Sequence, residues 1–145
     1  MNRTSLIIAA FVIVASGAYL YQTDQQTAVA LAQQRPTTTG ALVDITVPAA
    51  LSANAEIGKK AYDAKCAECH GADAVGQNGV APPLVHKIYE PNHHGDEAFQ
   101  RAAALGVQSH HWRFGDMPPV KGITRAEVQM IVTYIRELQA ANGIN

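Results

Sequence analysis

The chain has 145 residues, which suits one domain of ordinary size, and 48% of them are hydrophobic. Its formal net charge of −1 argues against a nucleic-acid partner, because proteins that bind nucleic acids normally present a basic face. No internal repeat is visible, so a repeat architecture is excluded as well.

Residues 1–21 have the layout of a secretory signal or a membrane anchor. Arg3 precedes an uncharged apolar run from Leu6 to Leu20. A cut after Ala18 would leave a soluble exported protein. Alternatively, the segment stays as an N-terminal apolar helix, which the extension Tyr19-Leu20-Tyr21 favours. The run is close to the lower limit of about 17 residues for a bilayer span, so its length does not decide between them.

Residues 22–48 read as a linker or arm, because they contain a Pro-Thr-Thr-Thr-Gly run at 36–40 and show little helical periodicity. Within this segment, Ala41 to Val47 has a weak strand-like pattern. The alternative is an ordered arm that lies on the following domain, which we place at residues 49–145.

The first helix of this domain is predicted from Ala55 to Ala67. Gly58, Tyr62 and Cys66 follow one another at intervals of four residues, so they share one helix face. A glycine on a packed face allows another helix to approach closely. We therefore expect a helix crossing at Gly58.

The helix leads into the run Cys66-Ala67-Glu68-Cys69-His70, which is the attachment signature of a c-type haem. Two thiols nearly one helical turn apart can add to the two vinyl groups of one porphyrin, and the adjacent imidazole supplies an axial bond to the iron. A disulfide between Cys66 and Cys69 would close too short a loop to constrain the chain. A zinc site needs further ligands at regular spacing, and the chain has no second cysteine pair. The motif predicts one covalent haem c, with His70 as an axial ligand.

Further helices are predicted after the motif. Pro83 to Tyr89 suggests a short helix, and Glu97 to Leu105 a longer one that stops at Gly106. The last helix opens with a capping box formed by Thr124 and Glu127. An apolar stripe then follows at helical spacing: Val128, Ile131, Val132, Ile135 and Leu138. Together these elements predict an all-α fold.

Residues 54–141 resemble the class I (monohaem) c-type cytochromes of bacteria, which are small all-α domains wrapped round one covalent haem. In that family a glycine and an aromatic residue of the first helix cross an aromatic residue of the last helix. Gly58, Tyr62 and Tyr134 match these positions.

The resemblance also covers the loop after the haem motif, where the family has a proline followed two positions later by a leucine. Pro82 and Leu84 match this pattern. It implies that the carbonyl of Pro82 accepts a hydrogen bond from the ring of His70, which fixes the orientation of that ligand.

Met117 is the predicted second axial ligand. It lies in the loop Phe114-Gly115-Asp116-Met117-Pro118-Pro119 just before the last helix, the place and context of the family's methionine ligand. A thioether is a soft ligand that favours reduced iron and raises the reduction potential. Met1 is in the leader, and Met130 is expected to pack within a helix. A histidine ligand is the alternative.

Histidines are unusually paired in this chain, and the family pattern does not include these pairs. We expect the two pairs to lie near one another on the far side of the haem, in hydrogen-bonding or docking roles, and the single His86 to be a surface or hydrogen-bonded side chain. Doubled histidines recur in metal sites, so the alternative is a second metal site. The residues of the second site would be His93, His94, His110 and His111.

Trp112 and Arg113 follow the second pair. An indole N–H and a guanidinium are good donors to haem propionates, although packing and surface exposure explain these residues nearly as well.

The leading hypothesis is a one-electron carrier on the periplasmic side of the inner membrane, anchored there or soluble. No nucleophile motif, phosphate loop or paired catalytic carboxylates are visible, so an enzyme is not predicted. The expected partners are a redox donor and acceptor, such as a membrane respiratory or photosynthetic complex, and the membrane itself through the N-terminal segment. The alternatives are a haem-based sensor, a copper- or zinc-handling protein that uses the histidine pairs, or an electron-relay subunit of a larger redox enzyme.

Overall fold

The computed structural model describes Ser16, residues 19–23 and residues 40–145. The chain divides into two units, residues 1–36 and residues 37–145. Ser16 and residues 19–23 are helical. Most of the predicted leader and linker lies outside the described residues, so the assignments for these segments stay predictions. Within the described part of the chain, no helix has the length and apolar character needed to cross a membrane.

The second unit is built from helices joined by loops. Over residues 40–145 the structure contains no β-strand, only two isolated bridges, so the predicted all-α fold is confirmed. Two single 3₁₀ turns lie at Ala72–Ala74 and Lys87–Tyr89. The α-helices of this unit are α1 (Ala53–Lys65), α2 (Ala67–His70), α3 (Asp96–Leu105) and α4 (Arg125–Ala141).

The boundaries of α1 differ slightly from the prediction. The helix begins two residues early because the Ser52 hydroxyl caps it by accepting a bond from the backbone N–H of Ala55 at 3.3 Å. It ends at Lys65, because Cys66 departs from helical geometry, with φ −121° and ψ −32°. The haem motif therefore forms a separate short helix, α2, instead of continuing α1.

The predicted helix over Pro83 to Tyr89 is wrong except for its last turn. Leu84 and Val85 donate their backbone N–H groups to the carbonyl of Ala74, at 2.8 and 3.3 Å, rather than to carbonyls one turn back. Only Lys87–Tyr89 forms a 3₁₀ turn, capped by His86.

Residues 41–47 form an ordered arm and not a strand. Leu42 donates to the carbonyl of Val75 at 3.1 Å, so this part of the arm lies on the loop after the haem motif. Thr46 donates its N–H to the side chain of Asn142 at 2.7 Å, and its carbonyl accepts from the same amide at 2.8 Å. A loop and a helix end supply these partners, so no ladder can form.

The centre of the domain is the crossing of α1 and α4. An ideal Cβ built on Gly58 would lie 1.9 Å from the carbonyl oxygen of Met130, so only glycine permits this approach. Tyr62 and Tyr134 pack beside it, both fully buried, with ring centroids 5.6 Å apart. The predicted crossing is confirmed. Most of the apolar stripe of α4 is buried in the core behind it: Ile131, Ile135 and Leu138.

Both buried tyrosines are bonded to the segment directly after the haem motif. The Tyr62 hydroxyl donates to the carbonyl of Gly71 at 2.8 Å, and the Tyr134 hydroxyl donates to Oδ1 of Asp73 at 2.7 Å. Burial raises the pKa of both phenols, so they stay protonated and act as donors. Lys59 Nζ lies 3.7 Å from the same oxygen of Asp73 and partly balances its buried charge. The helix crossing is therefore tied to the backbone that follows His70.

The capping box at the start of α4 is confirmed. The Thr124 hydroxyl accepts from the backbone N–H of Glu127 at 3.2 Å, and the Glu127 carboxylate accepts from the backbone N–H of Thr124 at 2.7 Å. These bonds satisfy backbone donors at the helix start and fix the point at which the preceding loop enters α4.

Gly58→Ala tests the helix crossing. The new methyl group would collide with backbone, so we expect the free energy of unfolding to fall by at least about 1–3 kcal/mol. Alanine is about 1 kcal/mol more favourable than glycine inside a helix, so helix propensity alone predicts that the substitution raises the free energy of unfolding. Denaturant unfolding of the haem-loaded protein measures the change. Lys60→Ala, at an exposed position of the same helix, is the control. Equal or greater stability of Gly58→Ala would contradict the crossing.

Candidate haem site

A cavity of about 750 Å³ opens between the haem motif, α3, α4 and the loop before α4. Cys66, Cys69, His70 and Met117 all line it. The structure therefore brings the predicted attachment residues and the predicted second ligand to one place. Most of the remaining wall is apolar and includes Val80, Leu84, Phe99, Ile123, Val128, Ile131 and Ile135.

His70 ends α2 and is buried, with only 9% of its surface exposed. Its Nδ1 donates to the carbonyl of Pro82 at 2.9 Å, as predicted, so Nε2 is the nitrogen left to bind iron. Burial lowers the pKa of His70, although the bond to Pro82 opposes this effect. The neutral imidazole, which is the form that binds a metal, is therefore favoured.

The loop after the motif places Pro82 beside His70. The N–H of Gly76 donates to the carbonyl of His70 at 2.7 Å, and Gln77 pairs with Ala81 across a tight turn. Asp73 and Ala74 have φ of 52° and 63°, a left-handed conformation that is uncommon for residues with a side chain. The loop thus turns back sharply and returns to the imidazole.

Cys66 and Cys69 are both free thiols, so the short disulfide considered above does not form. Burial, and next the neighbouring Cys69, raise the pKa of the Cys66 thiol to about 11. No cluster of three potential metal ligands in the described residues includes either cysteine, which removes support for the zinc alternative. Cys66 is half-buried and Cys69 is exposed.

The backbone of Met117 is fixed by an isolated bridge to Val107, with N–H···O bonds of 2.9 Å in both directions. Gly106, which ends α3, has φ +76°. A Cβ on Gly106 would lie 2.4 Å from the carbonyl oxygen of Met117, so only glycine allows this contact. The end of α3 therefore sets where the methionine enters the cavity.

Trp112 provides a test of whether the cavity suits a haem. Its Nε1 is buried and, among the described residues, has no hydrogen-bond partner, although the indole lies near the hydroxyl of Tyr89. An orphaned N–H in a largely apolar cavity fits a ligand that brings its own acceptor, as the propionates of haem do. With His70, Met117 and the two thiols on the same wall, the residues present fit haem c.

Arg113 is exposed and does not line the cavity, which agrees with the alternative of a surface position. Side chains alternate along this loop, so that Trp112 and Phe114 stack inside, 5.8 Å apart, and Arg113 is exposed. The cations that do line the cavity are Lys65 and Arg101, which sequence reasoning missed. Lys65 could have been found because it directly precedes Cys66, and Arg101 could have been found on a helical wheel of α3.

The histidine pairs meet at the edge of this cavity. Nε2 of His93 and Nε2 of His111 are 3.4 Å apart. One ligand nitrogen from each of His93, His94 and His111 lies within 4.8 Å of the other two. His94, His110 and His111 line the cavity, whereas His93 does not. The expected convergence of the pairs is therefore observed, and three of the four form the tight group.

His111 and His86 have different surroundings. Desolvation, and next repulsion from the imidazoles of His110, His94 and His93, lower the pKa of His111 and favour its neutral form. His86 lies apart from the group: its Nδ1 accepts from the N–H of Ile88 at 3.2 Å. Its ring packs edge-on against Trp112, with centroids 5.2 Å apart, so it has a packing role as well as a capping one.

Gly106→Ala tests the link between α3 and Met117. The methyl group would push the Met117 backbone away, so we expect a lower thermal midpoint and an altered visible spectrum of the haem-loaded protein. Gly79→Ala is a matched control, because Gly79 has the same φ of +76° but no atom within 4 Å of the new methyl group. Equal effects of the two substitutions would show that backbone strain, and not the contact with Met117, is responsible.

A comparison with protein families matches residues 55–139 to the Cytochrome c family. Neither the curated proteins nor the solved structures contain a match to the chain. The match covers more than half of the sequence and includes the Cys66–His70 motif and the helix crossing. Members of this family are electron carriers that bind haem c covalently, which agrees with the two thiols beside the cavity. The chain therefore belongs to the cytochrome c family.

Proposed function

We propose that this cytochrome c transfers single electrons through an iron held by His70 and Met117. The observation that carries the proposal is that both side chains line one cavity together with Cys66 and Cys69. Bound haem supplies a one-electron couple at its iron. With two protein ligands there is no open position for a substrate, which supports a carrier rather than an enzyme.

The residues of the chain set the properties of this couple. A methionine thioether stabilises reduced iron relative to oxidised iron, and the bond from His70 to Pro82 fixes the opposite ligand. Ile131 and Ile135 line the cavity and are almost fully buried, so they exclude water from this wall. A dry, apolar surrounding further favours the less charged, reduced state.

Electrons are proposed to enter and leave near Cys69. This residue is exposed while Cys66 is half-buried, so the haem edge attached to Cys69 would lie nearest the solvent. Lys65, also exposed, lies beside the same part of the cavity and could attract an acidic partner. The partners we propose are a redox donor and acceptor, such as a membrane respiratory or photosynthetic complex.

We further propose that the domain works on the periplasmic side of a bacterial-type inner membrane. The support is the basic start and the uncharged apolar run from Leu6 to Leu20, which favour export. The continuation of the run through Tyr21 favours retention as an anchor. An anchored carrier can exchange electrons with membrane complexes without diffusing away.

Met117→Ala tests the ligand assignment. Loss of the thioether should open the iron to carbon monoxide or imidazole, abolish the weak near-infrared band of methionine-ligated ferric haem, and lower the reduction potential. Met130→Ala is the control, because Met130 does not line the cavity. An unchanged spectrum and potential in Met117→Ala would assign the sixth position to another residue and refute this part of the proposal.

The anchor is tested by mass spectrometry of the haem-loaded protein purified from membranes. We expect an uncleaved N-terminal segment and solubility that depends on detergent, because the apolar run extends past the small residues that suit cleavage. A mature chain that starts at Tyr19 and stays in solution without detergent would show cleavage after Ala18 and a soluble carrier instead.

A further inference from the structure

The histidine group at the edge of the haem cavity has the composition of a metal site that the haem does not use. His93 and His94 come from the turn before α3, and His111 comes from the loop that carries Met117. Each can offer one neutral nitrogen, and imidazole is the side chain that divalent zinc, copper and nickel favour. Surface histidines without a shared role do not bring their ring nitrogens this close together.

The separation of the ring nitrogens fits a shared ion better than a direct bond between rings. Bonds of about 2.0–2.1 Å in a tetrahedral arrangement place two ligand nitrogens about 3.3 Å apart. His93 Nε2 and His111 Nε2 are 3.4 Å apart, which is longer than the range of about 2.7–3.2 Å that is usual for an N–H donor. The pair is therefore spaced as two ligands of one metal.

His94 is oriented as metal-binding histidines usually are. Its Nδ1 donates to the carbonyl of Ile88 at 2.6 Å, which fixes the ring and leaves Nε2 with a free lone pair. All separations within the group are 4.8 Å or less, so they exceed the tetrahedral edge by no more than about 1.5 Å. His93 and His111 are exposed, so rotation about their side-chain torsions can close this difference.

The turn that carries His93 and His94 is held against α4 by Arg136. The guanidinium donates to the carbonyls of Tyr89 and His94, at 2.7 and 2.6 Å, and to the carboxylate of Asp96 at 3.0 Å. The backbone on which two of the ligands sit is thus fixed on both sides of the pair. A site supported in this way needs little ordering when the ion binds.

The loop that carries His111 is also braced, by bonds within itself. The backbone N–H of Ser109 donates to Asp116 at 2.8 Å, and the Ser109 hydroxyl donates to the carbonyl of Trp112. The bridge between Val107 and Met117 closes the base of the loop. An ion bound by both segments would therefore join the turn before α3 to the loop that enters the cavity with Met117.

We propose that His93, His94 and His111 bind one zinc ion at the edge of the haem cavity. Three nitrogens hold the ion, and the fourth position of a tetrahedral centre is left to water or an external ligand. His110 lies beside the site but is outside the group of three whose ligand nitrogens lie within 4.8 Å of one another, so we do not include it as a ligand. The proposal goes beyond electron transfer and requires of the haem iron only that none of these three histidines is its ligand.

The test uses the full, haem-loaded chain without a histidine tag, and zinc alone as the probe. Equilibrium dialysis with metal analysis should find one zinc per chain, released by a chelator. His111→Ala should weaken binding at least about 100-fold, because the loss of a direct ligand should exceed the 10–100-fold cost of losing an outer partner. His86→Ala and His110→Ala are the controls, because each removes a histidine that is not one of the three proposed ligands. Both variants should bind zinc with unchanged affinity.

Four results would overturn the proposal, and the last of them comes from the visible spectrum. The first is the absence of stoichiometric zinc in the wild-type protein, and the second is unchanged binding in a His93→Ala/His111→Ala double variant. The third is a loss in His110→Ala as large as that in His111→Ala, which would refute the assignment of the three ligands. The visible spectrum of metal-free His111→Ala is recorded as well: a changed iron ligation would identify His111 as a haem ligand and also refute the site.

Discussion

The approach of α1 to α4 at Gly58 is the constraint on which the rest of the domain depends. It lets Tyr62 and Tyr134 pack against each other, and their hydroxyls bond the chain on either side of Ala72. These bonds hold the segment that directly follows His70. The position of the proximal imidazole is therefore decided by a contact between two helices, made about two turns of α1 before the motif.

The parts of the fold that sequence could predict are those in which residue type has one physical meaning. A capping box predicts a helix start, because its two side chains satisfy specific backbone groups, and Thr124 and Glu127 do so here. The spacing of the Cys66–His70 motif fits covalent haem attachment, which uses both thiols of the chain. The glycine and the two tyrosines of the crossing were found through resemblance to a family, and the structure shows the steric reason for them.

The errors fall where tertiary contacts override local pattern. Leu84 and Val85 bond the carbonyl of Ala74 across the loop, so the predicted helix there does not form. The chemistry of Arg113 left a propionate contact and a surface position both open, and the side-chain direction, which depends on the path of the loop, makes it exposed. Lys65 and Arg101 also line the cavity because of the path of the backbone, and neither residue belongs to a sequence motif that predicts this position.

The haem cavity, at about 750 Å³, occupies the place that a core of large side chains fills in other domains of this size. The apolar wall formed by α3, α4 and the loops would be wetted if nothing filled it, and much of the hydrophobic driving force would be lost. Haem that fills the cavity should therefore add to the stability of the folded chain. A chain without haem should then unfold more easily and be cut by proteases faster than the haem-loaded chain, so resistance to proteolysis would report how much of the protein carries its cofactor.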